Sequence, residues 1–167
     1  MKLKTGYAWS GGAATVLNAV ATWKGSAFGI DLKTWAEVEL NDTGIVKGDV
    51  PGVDTSLIET SVRMVLERLG HSFGATVRTT SEIPVASGLK SSSTAANAAV
   101  LATLDALDED LDLVEAAKIG VAAARAVGVT ITGAFDDALA SMLGGMVVTD
   151  NRNMLLMKRE EFNSPVM

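Results

Sequence analysis

Two stretches of this 167-residue chain carry side chains whose types and spacing suit work on phosphate. The first is Ile83-Pro84-Val85-Ala86-Ser87-Gly88-Leu89-Lys90-Ser91-Ser92-Ser93-Thr94, which joins an expected strand to an expected helix. Small side chains and Gly88 let the backbone approach a ligand closely, and Ser91 to Thr94 place four hydroxyls where the first helical N–H groups have no carbonyl to meet. A helix start attracts an anion, so Pro84 to Thr94 suit the phosphates of a nucleotide, with Lys90 as a movable positive charge. The same hydroxyls could serve only to cap the helix. Neither G-x-x-x-x-G-K-[ST] nor G-x-G-x-x-G occurs, so the two commonest phosphate loops are excluded.

The second stretch is Asp136-Asp137 after Gly133-Ala134-Phe135, nearly the only charge between Gly128 and Thr149. Phosphoryl transfer to an alcohol requires the hydroxyl to be oriented, the phosphate charge to be neutralised and a proton to be accepted; carboxylates and magnesium are the usual means. The alternative use of the pair is to cap a helix over 137–143, for which one aspartate would suffice.

The elements that must position these groups alternate between the two periodicities. Trp35 to Leu40 puts Ala36, Val38 and Leu40 on one face and Glu37 and Glu39 on the other, as in a half-buried strand. Asp54 opens a helix with apolar positions Leu57, Ile58, Val62, Val65, Leu66 and Leu69, and Gly70 ends it. Ala75 and Val77 mark a strand leading to the first stretch, which runs into an alanine-rich helix over 92–107. A further helix over 113–127 has Asp112 and Glu115 spaced as a capping box and Gly128 as its stop. Val129 to Thr132 is either a strand or a short buried connector, and 146–149 pairs with 154–157 around the turn 150–153. The class is mixed α and β. Trp9, Trp23 and Trp35 read as packing residues rather than ligand platforms.

Composition narrows the function classes. Hydrophobic residues make up 48% of the chain and charged residues 20%, so it folds. Cysteine is absent and His71, the single histidine, falls in an expected surface turn, which disfavours disulfide, zinc and serine-hydrolase chemistry and points to a cytoplasmic location. A net charge of −6 without a Lys/Arg cluster argues against nucleic acid as a partner, and no apolar run is long enough to span a bilayer. The partner expected is a small molecule.

Pro84-x-x-x-Gly88-Leu89-x-Ser91-Ser92-Ser93 resembles the phosphate motif of the GHMP kinases, the superfamily of galactokinase, homoserine kinase and mevalonate kinase. Lys90 stands where a glycine is usual, and Ser93 where an alanine is usual. With Gly11-Gly12-Ala13-Ala14-Thr15-Val16-Leu17-Asn18-Ala19 and Val129-Thr130-Ile131-Thr132-Gly133-Ala134-Phe135-Asp136-Asp137-Ala138, the likeness is to the archaeal-type shikimate kinase branch. The resemblance implies an α+β fold of the ribosomal protein S5 domain 2 type over 1–160, with a left-handed crossover. It also implies a ferredoxin-like C-terminal domain, missing here, to which 161–167 would begin the connection. It implies ATP and Mg2+ as cofactors, Asp136 as catalytic base and Ser92 as a metal contact. Shikimate is the implied acceptor, for which Thr15, Asn18, Thr130 and Thr132 are candidate contacts. The first motif lacks its usual Lys and Glu-His pair. The glutamate that completes the metal shell in mevalonate kinase falls near Arg125, which either meets phosphate or faces solvent.

Overall fold

The computed structural model describes residues 4–84 and 87–161. Its longest strand organises it: β2 (Lys24–Asn41) pairs with β1 (Thr5–Leu17) along one edge. Along the other edge β2 serves two strands in turn, β4 (Gly74–Ser81) beside Thr34–Asn41 and β5 (Met146–Asp150) beside Lys24–Phe28, all antiparallel. The short β3 (Val46–Gly48) lies parallel to β4, and β6 (Leu155–Glu160) closes the far edge, for the order β3-β4-β2-β5-β6.

Among the described residues four helices lie between these strands: α1 (Ser56–Arg68), α2 (Ser91–Leu107), α3 (Leu113–Ala126) and α4 (Phe135–Leu143). One core gathers Ala36, Val38 and Leu40 of β2 with Val77 of β4, Val62 of α1 and the alanines of α2. A second joins Ala13, Ala27 and Val147 to Phe135 and Leu139 of α4 and Val121 of α3. The expected strand face Ala36, Val38, Leu40 is therefore the buried one.

Helix α2 is alanine-rich because it presses directly on the sheet. A Cβ at Gly6 of β1 would fall inside the backbone at Ala102 and Ala106, so strand and helix touch through glycine and backbone alone. That contact seats the C-terminal half of α2 on the sheet, while its N-terminal end is tied to β1 separately, through the Thr94 hydroxyl on Gly11 O.

Several expectations need correction. Val129–Thr132 is neither strand nor buried connector but a loop, with Ile131 almost fully exposed, because Gly128 (φ 74°) has turned the chain out of α3. Trp9 and Trp35 face each other across β1 and β2 on the sheet face away from the helices, and both are exposed. Strand alternation sends their small neighbours inward instead. Asp112 caps α3 as expected, accepting from the amides of Val114 and Glu115, but the return half of the box is diverted: the Glu115 carboxylate pairs with Arg68 and Lys118. Asp136 and Asp137 do not cap α4. They lie within its first turn, behind Ala134, whose left-handed φ of 48° begins the helix.

Candidate active site

The loop before α2 ends in two left-handed residues, Gly88 (φ 76°) and Lys90 (φ 63°), which swing the chain abruptly into the helix. The first intrahelical bond is donated by Thr94 N–H to Lys90 O at 3.1 Å. The amides of Ser91, Ser92 and Ser93 precede it, so a helix start leaves them pointing outward toward an anion. Two ties fasten the loop to β1: Ala13 N–H donates to Leu89 O at 3.3 Å, and the Thr94 hydroxyl lies 3.2 Å from Gly11 O.

The first turn of α4 meets this loop from the opposite side. Thr130 and Thr132 shape the approach, their hydroxyls accepting from Gly133 N and Ala134 N, while the Arg125 guanidinium donates to Thr132 O at 2.7 Å. Arg125 thus braces the loop that leads into α4. Lys90 Nζ lies 3.2 Å from Asp137 Oδ2, and the Thr15 hydroxyl donates to Asp137 Oδ1 at 3.0 Å. Asp136 accepts from the side-chain amide of Asn151 through Oδ1 at 2.8 Å; Oδ2 has no hydrogen-bond partner among the described residues. Both aspartates are almost fully buried.

Two adjoining cavities result. One, of about 310 Å³, is lined by Thr15, Asn18, Thr130, Thr132, Lys90, Asp136 and Asp137 among others. The other, of about 320 Å³, is lined by Ser87, Gly88, Lys90, Ser91, Ser92, Ser93 and Asp137 among others. Lys90 and Asp137 line both, so the ion pair stands at their junction.

The loop and Asp136, distant in sequence, are thus brought to one side of the molecule, and the four residues singled out as acceptor contacts share one cavity. Ser92 is exposed at the mouth of the other. Three expected loop contacts are not brought in. Thr94 is fully buried and its hydroxyl and amide are spent on Gly11 O and Lys90 O, because the fourth residue of the run has already turned inward on the helix. Pro84 and Leu89 line neither cavity: the Pro84 carbonyl takes the Ser87 hydroxyl, and the Leu89 carbonyl takes the Ala13 amide of β1. Val85 and Ala86 lie outside the described residues. Sequence reasoning missed the Lys90–Asp137 pair and Asn151. The only hint of the former was a lysine where the motif usually has glycine.

Burial pushes the Asp137 carboxyl above its usual range, and the charge of Asp136 adds to this; Lys90 and Thr15 oppose it. An acid whose native pKa is raised contributes stability below its unfolded pKa and loses it as pH rises through the native value. Asp137→Asn is therefore expected to gain stability relative to the parent as pH rises from about 4. Urea denaturation of both proteins across the acid range tests this, and parallel curves would contradict it. Gly88 supplies a conformation rather than space, since nothing lies within 4 Å of a Cβ there. Gly88→Val is expected to weaken ATP binding by about tenfold, the cost of holding a left-handed β-branched residue. Calorimetric titration with ATP reads it directly, and unchanged affinity would place the nucleotide elsewhere.

No described helix is long and apolar enough to cross a membrane. Among the described residues no group of three or more His, Cys, Asp or Glu gathers as a metal cluster.

The chain is 64% identical over 162 residues to a shikimate kinase of Methanothrix thermoacetophila, covering 97% of this chain and 56% of that one. It is 60% identical over 167 residues to a shikimate kinase of Methanosarcina mazei, covering 97% and 57%. The chain thus spans a little over half the length of these curated relatives. Among solved structures, a homoserine kinase from Cytophaga hutchinsonii superposes with a TM-score of 0.79 at 16% identity over 99% of this chain and 54% of that one. The Methanococcus jannaschii mevalonate kinase gives 0.75 at 14% identity over 98% and 57%. Likeness at that level of identity concerns the fold. Residues 56–145 match the family described as the GHMP kinases N-terminal domain, a span that takes in the outward amides of Ser91–Ser93 and both aspartates. On this match, and on the α+β architecture it shares with those kinases, the chain belongs to the GHMP kinases and carries their N-terminal domain.

Proposed function

We propose that the chain is the nucleotide-binding part of a shikimate kinase, which moves the γ-phosphoryl group of ATP to a hydroxyl of shikimate. Identities of 64% and 60% to curated shikimate kinases support the acceptor. The observation that carries the chemistry is the meeting of two cavities, one with open amides and one with carboxylates, at Lys90 and Asp137.

In this reading the amides and hydroxyls of Ser91 to Ser93 grip the triphosphate, and Lys90 offsets charge on the phosphoryl group in transit. The acceptor occupies the neighbouring cavity, where Thr15, Asn18, Thr130 and Thr132 offer hydrogen bonds suited to a polyhydroxylated acid. Asp136 takes the proton of the attacking hydroxyl on Oδ2, the oxygen that Asn151 leaves open. Magnesium fits the same site: Ser92 and Asp137 share the phosphate cavity, and an ion carried on the triphosphate needs only one or two protein oxygens. Such an ion would neutralise phosphate charge.

A full-length protein carrying this chain is expected to release ADP from Mg-ATP faster when shikimate is added, and not when homoserine or mevalonate is added. Acceleration by one of the latter would make it a sister kinase; acceleration by none would overturn the reading. A second reading, a module that binds nucleotide without turning it over, needs only the helix start and the cavity lined by Ser91, Ser92 and Ser93. Turnover by the 167-residue chain above a Ser92→Ala control would remove that reading.

A further inference from the structure

An asparagine in a tight turn between two strands ordinarily faces water, where its amide serves its own backbone. Asn151 follows β5 in such a turn and is completely buried. Its neighbours do the turn's work instead. Asp150 accepts from the amides of Arg152 and Asn153, from the Asn153 side chain and from Lys24, while the Asn151 N–H donates to Trp23 O at 2.8 Å. The Asn151 side chain is thereby left for another use.

Its carboxamide is oriented by what surrounds it. The Thr149 hydroxyl donates to Oδ1 at 2.6 Å, and Nδ2 donates to Asp136 Oδ1 at 2.8 Å. Only an NH2 group can face a carboxylate as donor, which fixes the amide's orientation. The third side of the seat is Gly25 of β2, where a Cβ would lie 2.6 to 2.9 Å from the Asp136 side chain. The carboxylate is thus clamped between a glycine and a single amide, on a helix turn held in the core by Phe135 and Leu139.

We infer that Asn151 is a positioning residue, holding Asp136 by Oδ1 so that Oδ2 is presented to the acceptor cavity. The inference rests on the assignment of Asp136 as the base. It places a determinant of turnover in the β5–β6 turn, outside every phosphate-handling motif of the sequence. Loss of a hydrogen bond that aims a reacting group costs turnover far more than binding, because misplacement by about 1 Å lowers rate by about a hundredfold.

The test uses a full-length protein carrying this chain, assayed with Mg-ATP and shikimate. Asn151→Leu, close in volume but unable to donate, is expected to lower kcat by about a hundredfold with KM for ATP within about twofold of the parent. Thr149→Val, which keeps shape and removes only the hydroxyl that orients the amide, is expected to lower kcat by about three- to tenfold and serves if the leucine variant does not fold. In an Asp136→Ala background both substitutions are expected to leave the residual turnover unchanged, since the group they aim is gone. Parent-like kcat in both single variants would overturn the inference, as would equal losses with and without Asp136, the signature of a merely structural role. If Asp136→Ala itself turns over like the parent, the assignment of the base falls and the inference with it. If Asp136→Ala is crippled while the other two are not, only the inference falls.

Discussion

Asp136→Asn, in a full-length protein carrying this chain, lowers kcat by about 10²- to 10⁴-fold while ATP binds within about twofold of the parent. The amide keeps the shape of the carboxylate but cannot take a proton. Burial is unchanged, since Asp136 sits against Gly25 and Asn151 rather than against the phosphate loop. ATP affinity is expected to be spared because Asp136 lines only the cavity proposed for the acceptor, whereas Ser91 to Ser93 line the other. Steady-state kinetics with varied ATP and shikimate separate the two quantities. Parent-like kcat would clear Asp136 of the chemistry, and Asp137, the raised carboxyl at the junction, would then be the group to test.

Lys90→Met lowers kcat by about 10²- to 10³-fold, the usual cost of removing one preorganised charge donor from a transition state. Lys90 lines both cavities, so its ammonium can follow the phosphoryl group from donor to acceptor. Its loss acts on Asp137 as well, because the ammonium is one of the two groups that hold that buried carboxyl down. Lys90→Met is therefore expected to favour the protonated form of Asp137, whereas Lys90→Arg keeps the charge and retains part of the activity. A Lys90→Met, Asp137→Asn double variant should be less impaired than the product of the two single losses, since each removes the other's partner. Additive losses would show that the ion pair is no functional unit, and full activity of Lys90→Met would remove the lysine from the mechanism.

Much of this architecture is legible along the chain, and where it is not the reason is physical. Helices α1 and α3 announce themselves by 3.6-residue periodicity and by Asp112, Gly70 and Gly128 at their ends, and α2 by its alanine content, all local signals. The β5–β6 hairpin is read from its turn residues. Strand β1 is hidden, because Gly6, Ala8, Gly11, Gly12, Ala13 and Ala14 lack the bulk that marks a strand. Their smallness serves α2 and α4, which lie close against it, a demand invisible before those helices are docked. The exposed tryptophan pair and the exposed loop around Ile131 go against the rule that large apolar residues are buried, a rule that binds cores but not surfaces.

The candidate site divides along the same line. The residues that form a helix start able to hold phosphate, and the two isolated aspartates, are properties of short segments, and the chain alone determines them. The sequence also determines the resemblance on which the kinase reading first rests. Which hydroxyl of the serine–threonine run faces a ligand is decided by the helix turn, which sends Thr94 into the core and leaves Ser92 outside. That Lys90 meets Asp137, that Asp136 is held by Asn151, and that the two cavities adjoin follow only from the packing of α2 and α4 against one sheet. Periodicity and turn chemistry act over a few residues, whereas a site assembled from four separate elements exists only once β2 has brought β1 and β5 to its two edges.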